Sequence, residues 1–238
     1  MRHTFLYQLY AAVPLLASVV FLMYYRFNGW SEASQISGYM QIIGVALPFL
    51  VSVLCAGNIG LEEQNHFQVL LGSHTRRWSG LEKKWLTLAG AGFLAIAAAV
   101  LLFAAGYRIG LGKEGIEAGD YMLLVLLLFW GSIPLYLEHL FFNLVFSRSV
   151  SQCIGVMQSL VSAVFLTGLG EGRWQFFPCT WSARGAALYL CGMEQDEVGK
   201  AALAQLRYGA VAEVLLFLFI YVIIRVWFHY YEGRHCND

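Results

Sequence analysis

Charged side chains are scarce in this sequence, and their scarcity argues against a soluble globular protein. Only 13% of the 238 residues are charged and 59% are hydrophobic, whereas soluble domains carry about 25% charged residues. Basic and acidic residues number 15 each, so the net charge does not favour a nucleic-acid partner. The five cysteines follow no metal-ligand spacing, and no glycine-rich loop ends in the Lys-Ser or Lys-Thr that binds phosphate. We therefore expect a chain that is surrounded by lipid and binds neither a metal nor ATP itself.

The hydrophobic residues form six long runs separated by short polar segments. Each run is close to the roughly 20 residues that a helix needs to cross the hydrocarbon layer. The predicted spans are residues 5–25, 39–56, 86–107, 121–146, 153–169 and 208–228. The first span ends in Tyr24-Tyr25-Arg26 without a small-residue cleavage site, so we expect it to be retained rather than removed as a signal peptide. The sequence predicts an all-α membrane protein with a single domain over residues 1–238.

The distribution of basic residues gives only weak evidence for the orientation of the spans in the membrane. With the N-terminus inside, eight Lys and Arg residues lie on the cytoplasmic side and seven lie outside. Four of the eight cluster in the loop between the second and third spans: Arg76, Arg77, Lys83 and Lys84. This clustering predicts a multi-pass protein with cytoplasmic N- and C-termini.

The same loop contains an amphipathic pattern. Phe67, Leu70, Leu71 and His74 recur at helical spacing, and Glu62 and Glu63 lie on the polar side. Such a helix could bind in a groove on a soluble partner. It could equally lie on the membrane, with its neighbouring basic residues facing anionic lipid.

The fourth and sixth predicted spans contain polar residues that are candidates for a functional role. Glu138, His139 and Asn143 lie in the fourth span, where a structural hydrogen bond to a neighbouring helix is favoured over a substrate contact. Glu213 lies near the start of the sixth span. We expect it to reach the outer interface, where it could meet a cationic ligand.

The segment before the sixth span combines aromatic and acidic residues. Trp174 and Trp181 are typical of an interfacial aromatic belt, although a lateral gate would also explain them. Glu194, Asp196 and Glu197 form the densest acidic patch. Short helices over residues 183–190 and 198–206 are expected to form a small external cap, and Cys179 and Cys191 are expected to remain unpaired.

Two stretches of this sequence resemble permeases of a known transporter family. Residues 166–178, Leu-Thr-Gly-Leu-Gly-Glu-Gly-Arg-Trp-Gln-Phe-Phe-Pro, followed by Trp181 and Arg184, are similar to the segment after the fifth span in lantibiotic-immunity permeases of the ABC-2 class. Residues 62–72 resemble the first cytoplasmic loop of the same proteins. The MutG-type subunit is the nearer match, and the sister MutE-type subunit shares both features.

The resemblance implies a complete transport system. It implies an ABC-2, type V exporter-like fold with a cytoplasmic coupling helix in the plasma membrane. The coupling residues would be Glu62, Glu63, Phe67, Leu70, Leu71 and His74. Two copies of a separate nucleotide-binding subunit would hold ATP and Mg²⁺, beside a second, related permease. The substrate would be a cationic antimicrobial peptide, contacted through residues such as Glu213, Trp174, Trp181, Glu194, Asp196 and Glu197.

Two other functions fit the same residues. Glu138, His139 and Glu213 could form the site of a membrane-embedded enzyme, although no His-Glu-x-x-His motif is present. The chain could also be a receptor or scaffold that binds a peptide without moving it. An associated ATPase would distinguish the transporter from both.

Overall fold

Every regular element in the described part of the chain is helical. The computed structural model describes residues 2–64, 67, 70, 77–194 and 196–231. We number the α-helices in chain order: α1 Arg2–Phe27, α2 Glu32–Gln64, α3 Arg77–Ala105, α4 Ala118–Val145, α5 Arg148–Phe165, α6 Pro178–Gly192 and α7 Glu197–His229. A π-helix, Gly106–Gly110, extends α3, and two short 3₁₀ turns, Gly168–Gly170 and Trp174–Phe176, lie between α5 and α6. The predicted all-α class is confirmed.

Five of these helices are long and apolar enough to cross a membrane. They are α1, α2, α3 with its π-helical extension, α4 and α7, as expected of a multi-pass membrane protein. The fifth predicted span, residues 153–169, corresponds to α5, which begins earlier, at Arg148, and ends at Phe165. Its 18 residues rise about 27 Å, slightly less than the hydrocarbon thickness of about 30 Å. Because α5 also contains Ser151, Gln158 and Ser162, its composition alone does not mark it as a span.

The prediction of a separate helix over residues 198–206 is wrong. These residues are the first turns of α7, which continues without a break for 33 residues, or about 50 Å. Asp196 caps its N-terminus by accepting a hydrogen bond from the Gly199 backbone N–H at 2.7 Å. No proline lies between Glu197 and His229 that would end the helix before the apolar stretch. The polar first turns and the apolar remainder therefore form one continuous α-helix.

The helix ends fall into two groups, which define two ends of the bundle. At the Glu32 end, Lys113 and the Tyr107 hydroxyl both donate to the Gln35 Oε1 atom, at 2.7 and 2.8 Å. These bonds tie the start of α2 to the end of α3. At the Glu62 end, Lys84 of α3 pairs with Glu62 at the end of α2, and α5 begins and α7 ends beside them.

Helix α6 lies inside the bundle, between α2, α4 and α7. A Cβ atom at Gly44 of α2 would collide with the backbone of Ala183, and one at Gly131 of α4 would collide with the backbone of Ser182. The Ser182 hydroxyl donates to the Leu128 carbonyl oxygen at 2.9 Å. Glycine on both neighbours therefore allows the backbones to approach closely, as small residues do in membrane helices.

The chain between α5 and α7 folds back into the bundle and out again. The first turn of α6, at Pro178 and Cys179, lies beside Gln158 and Val161 in the middle of α5. Helix α6 then runs to the Glu32 end, where the Tyr189 hydroxyl donates to Asp120 at 2.7 Å. Residues 166–192 thus fold into the bundle and back out, and we call this segment the re-entrant hairpin.

Candidate functional site

The Glu62 end holds an ionic junction of three helices. Lys84 Nζ lies 2.8 Å from Glu62 Oε1 and 2.6 Å from Asn58 Oδ1. Arg148, at the start of α5, pairs with Glu63 at 3.0 Å. The two predicted acidic residues therefore join α2 to α3 and α5.

A second link connects this junction to α7. Trp78 Nε1 donates to the Tyr221 hydroxyl at 3.2 Å, and that hydroxyl lies 3.2 Å from Glu82 Oε1. Trp78 and Glu82 are four residues apart on one face of α3. No sequence pattern identified Trp78, Glu82 and Tyr221 as partners, or Lys84 and Arg148 as ion-pair partners. The opposite charges on either side of the loop between the second and third spans are a signal that could have found the Glu62–Lys84 pair.

The structure places Phe67 and Leu70 inside the chain's own core. Only 7% of Phe67 and 2% of Leu70 is exposed, and both pack with Leu81, Trp85 and Phe228 in one hydrophobic cluster. The expectation that these two side chains face a partner groove or the lipid surface is therefore wrong. Leu71 and His74 lie outside the described residues.

The two predicted interfacial tryptophans are also buried. Trp174 is 0% and Trp181 1% exposed, and they pack with Leu188 and Ala202. Trp181 Nε1 donates to the Gln175 carbonyl oxygen at 3.0 Å, whereas Trp174 Nε1 has no hydrogen-bond partner among the described residues. Both the interfacial belt and a gate open to substrate are wrong for this pair, because the hairpin folds them against α7.

The residues that carry the resemblance, between Leu166 and Arg184, hold the re-entrant hairpin together. Thr167 accepts a hydrogen bond from the Leu169 N–H and caps the first 3₁₀ turn, and Gly170 lies against the Phe165 backbone with no space for a Cβ atom. Pro178 occupies the first turn of α6, where its missing N–H costs nothing. Arg184 donates to the Leu166 carbonyl oxygen at 3.2 Å and faces Gln205 of α7 at 3.4 Å. The motif is therefore structural in this chain.

A cavity opens at the Glu32 end between α2 and α6. Its volume is about 670 Å³, and its lining includes Ser37 and Gln41 on α2 and Arg184, Leu188 and Glu194 on or after α6. The lining thus combines apolar surface with one basic and one acidic side chain. Concave sites of this kind are the usual places for ligands.

The acidic patch lies at the mouth of this region. Glu194, Asp196 and Glu197 are all exposed, as predicted for a surface patch. Only Glu194 lines the cavity, because Asp196 caps α7 and Glu197 pairs with Lys200 at 2.8 Å.

Glu138, His139 and Asn143 form a hydrogen-bonded network with α5. The ring nitrogens of His139 lie 3.0 Å from Ser151 Oγ and 2.9 Å from Gln158 Oε1. Asn143 Nδ2 donates to the same serine at 2.9 Å, and Gln158 Nε2 donates to Glu138 Oε2 at 3.1 Å. The favoured interpretation, a hydrogen bond to a neighbouring helix, is what the structure contains. Ser151 and Gln158, seven residues apart on α5, were the signal for its partners, although Ser151 precedes the predicted fifth span.

The Glu213 side chain is buried inside the chain. It is 5% exposed and accepts a hydrogen bond from Trp130 Nε1 of α4 at 2.9 Å. Because α7 begins at Glu197, Glu213 lies 16 residues, or about 24 Å, along the helix. The expectation of an exposed carboxylate is therefore wrong.

The two cysteines of the segment after α5 are free thiols. Cys179 is buried and Cys191 is partly exposed, and neither forms a disulfide. Among the described residues, no three His, Cys, Asp or Glu side chains come together in a way that could hold a metal ion.

Comparisons with known proteins add no identification. No family model matches the chain, and neither a curated protein nor a solved structure matches it.

Proposed function

We propose that this chain is the transmembrane permease subunit of an ATP-driven exporter that expels lantibiotic or similar cationic antimicrobial peptides from the plasma membrane. In this proposal α5 completes a set of six crossings in an ABC-2 arrangement. The Glu62 end lies in the cytoplasm with both termini, and the Glu32 end lies outside. Two copies of a separate nucleotide-binding subunit hydrolyse ATP with Mg²⁺, and a second, related permease completes the pathway.

The observation that carries the proposal is the re-entrant hairpin. The residues that resemble the immunity-permease motif, from Thr167 to Arg184, are the same residues that cap, bend and anchor this one structural unit. The hairpin supports the permease fold, and the substrate is inferred through the resemblance.

The charges along α7 support its placement across the membrane. Arg207 and Arg225 are both exposed and are 18 residues apart, or about 27 Å along the helix. This spacing is close to the hydrocarbon thickness, and the one acidic residue between them, Glu213, is buried. The eleven residues of α7 up to Arg207 would then extend outside the membrane beside the hairpin.

The proposed ATPase contact lies at the Glu62 end. Arg148 and Glu63 keep 50% and 26% of their side-chain surface exposed, so a soluble partner can reach them. Phe67 and Leu70 would support this surface from inside rather than form it. The ionic junction would pass movement of the partner to α2, α3 and α5.

The proposed substrate contact is the cavity between α2 and α6. Glu194 at the cavity provides negative charge for a cationic peptide, and Leu188 and its neighbours provide apolar surface. Complementary charge concentrates a ligand near its site. The buried Trp174, Trp181 and Glu213 would act only by shaping the walls.

The proposal is tested by purification from the native membrane. A tagged chain, extracted in mild detergent, should co-purify with a nucleotide-binding subunit and a second permease. Deleting the gene for this chain should make the cells sensitive to a lanthionine-bridged cationic peptide. Purification of the chain alone, together with unchanged peptide sensitivity, would overturn the proposal.

A matched control separates transport from passive binding. The nucleotide-binding partner is altered at its phosphate-binding lysine, which leaves assembly intact but prevents ATP hydrolysis. A transporter should then assemble without protecting the cell. Full protection by the altered complex would favour the receptor or scaffold instead.

A further inference from the structure

We propose that the cavity at the Glu32 end binds a ligand carboxylate on Arg184, with the apolar part of the ligand lying along α6 and its positive groups near Glu194. Three features of the cavity support this site: the depth of Arg184, its unused hydrogen-bond donors and its lack of an ion-pair partner. Only the identity of the natural ligand rests on the proposed function, since a peptide exporter would take this carboxylate from a peptide.

Arg184 lies at the floor of the cavity. The backbones of α2 and α6 touch at Gly44 and Ala183, and this contact closes the space below. Gln41 lies one turn before Gly44 on α2, which runs inward from the Glu32 end. Arg184 directly follows Ala183 on α6, which runs back toward that end, and Gln41 and Arg184 both line the cavity. Because Glu194 lies beyond the end of α6, the basic and acidic side chains of the lining are at opposite ends.

The Arg184 guanidinium group keeps hydrogen-bond donors for a ligand. Of its five N–H groups, one on Nη1 is donated to the Leu166 carbonyl oxygen at 3.2 Å and one on Nη2 to Gln205 Oε1 at 3.4 Å. The buried Nε atom has no hydrogen-bond partner among the described residues, which is unfavourable unless a bound group accepts from it. On the opposite wall, Ser37 accepts from Gln41 at 2.8 Å and has its own hydrogen to donate.

Arg184 also lacks an ion-pair partner. None of the ion pairs between described residues includes Arg184, and Glu171 acts on its charge only from a longer distance. One guanidinium group balances one negative charge, and its planar arrangement of N–H groups matches the two oxygens of a carboxylate. A phosphate dianion would leave one charge without a partner. The floor therefore fits a carboxylate best.

The wall above Arg184 fits an apolar segment next to the carboxylate. Leu188 and Cys191 follow Arg184 on one face of α6, at four and seven residues, and both line the cavity together with Ile36 of α2. The positive charge of Arg184 disfavours a cation at the floor, whereas Glu194 favours one near the mouth. A ligand with both charges would therefore enter with its carboxylate first.

Protection of Cys191 from alkylation tests the site. This thiol is free and partly exposed, and it lies seven residues, or about 10 Å, from Arg184 along α6. The probe is N-acetyl-leucyl-leucine, whose two extended residues span about 7 Å without the acetyl group. The matched control is the same dipeptide with a C-terminal amide.

The measurement uses the purified full-length chain in lipid nanodiscs. N-ethylmaleimide is added, and the modification of Cys191 is followed by mass spectrometry. A ligand of this size is expected to bind with a Kd on the order of 1 mM, so about 10 mM of the acid should slow the modification about tenfold. The amide should slow it less than about twofold, because it cannot balance the charge of Arg184.

Two variants assign the effect to the charge of Arg184. Arg184→Met should abolish the difference between the acid and the amide. Gln205→Ala is the control, since it removes the contact between Arg184 and α7 but leaves the guanidinium group in the cavity. This control should keep the difference, and thermal unfolding shows whether both variants are folded.

Equal protection by the acid and the amide in wild-type protein, or protection by neither, would overturn the proposal without any variant. Protection by the acid alone that persists in folded Arg184→Met would also contradict it. The test needs neither an ATPase nor a second permease. Its result therefore stands or falls separately from the co-purification that tests the proposed function.

Discussion

The aromatic residues after α5 show how burial changes the role of a single side chain. Trp174 fills the space above Gly209 of α7, whereas Phe176, two residues later, is 62% exposed. A substrate contact and a packing contact predict different effects of substitution. Because Trp174 is fully buried, we assign it a packing role.

We expect Trp174→Ala to lower the free energy of unfolding by about 3–5 kcal/mol, because it leaves a large cavity. Phe176→Ala serves as the control and should change stability by about 0.5 kcal/mol or less. Thermal unfolding of both variants in the same detergent gives the comparison. Equal losses for the two variants would show that Trp174 is not packed as described.

At the Glu62 end, substitutions can likewise distinguish a core residue, Leu70, from an exposed residue that a partner could contact, Arg148. Leu70→Asp should destabilise the protein by several kcal/mol, since it buries a charge in a cluster with Leu81 and Phe228. Arg148→Ala should cost about 0–1 kcal/mol, because its ion pair is half exposed. Protein abundance and thermal unfolding measure both effects.

The same two variants also separate folding from partner binding. If Leu70→Asp proves as stable as wild type, the description of Leu70 as a core residue is wrong. Arg148→Ala is the better probe of the ATPase contact, because any loss of the partner would occur in a folded protein.

At the scale of elements, the re-entrant hairpin depends on close helix contacts. Gly44→Ala should destabilise the protein by about 1–3 kcal/mol, since its methyl group would collide with the Ala183 backbone. Gly90→Ala is the matched control, because no atom lies within 4 Å of its Cβ position. That control should be neutral or more stable by up to about 1 kcal/mol, through higher helix propensity.

Thermal unfolding of the two glycine variants decides whether α6 lies against α2. A stable Gly44→Ala protein would mean that the helices are farther apart than described. Loss of stability in both variants would instead indicate a general intolerance to substitution, and the position of α6 would lose this support.

At the scale of the whole molecule, the proposed orientation predicts a labelling pattern. In a background without native cysteines, Glu194→Cys should react with a membrane-impermeant thiol reagent in intact cells. Ser149→Cys should react only after the cells are opened, since it lies at the Glu62 end beside Arg148. Both residues are exposed in the chain, so a difference in labelling reports the side of the membrane. The reverse pattern would invert the orientation and contradict the transport proposal.

The acidic patch predicts how protection depends on salt. Single charges at an exposed surface contribute about 0–1 kcal/mol, so Glu194→Gln alone should have little effect. Neutralising Glu194, Asp196 and Glu197 together should lower peptide resistance modestly and weaken its salt dependence, because steering falls as ionic strength rises. Resistance is compared at equal membrane abundance, since loss of the Asp196 cap can also reduce stability. Unchanged resistance and salt dependence would exclude the patch from substrate capture.

The sequence alone determined the helical class and predicted six spans, because apolar runs of this length are read directly from composition. Five of the six correspond to helices that are long and apolar enough to cross a membrane. It could not find the full extent of α7, since hydropathy detects the part of a helix in lipid and not its polar continuation. It also predicted free thiols at Cys179 and Cys191, which the structure bears out.

Only the tertiary structure decided which polar and aromatic residues are accessible. Trp174, Phe67 and Glu213 have the sequence pattern of surface or interface residues, yet all three are buried. Their burial follows from contacts between segments far apart in the chain, such as Trp174 with Gly209 and Glu213 with Trp130. Local periodicity contains no information about such contacts. The hydrogen-bond network of Glu138, His139 and Asn143 arises in the same way, because its partners Ser151 and Gln158 lie on a different helix.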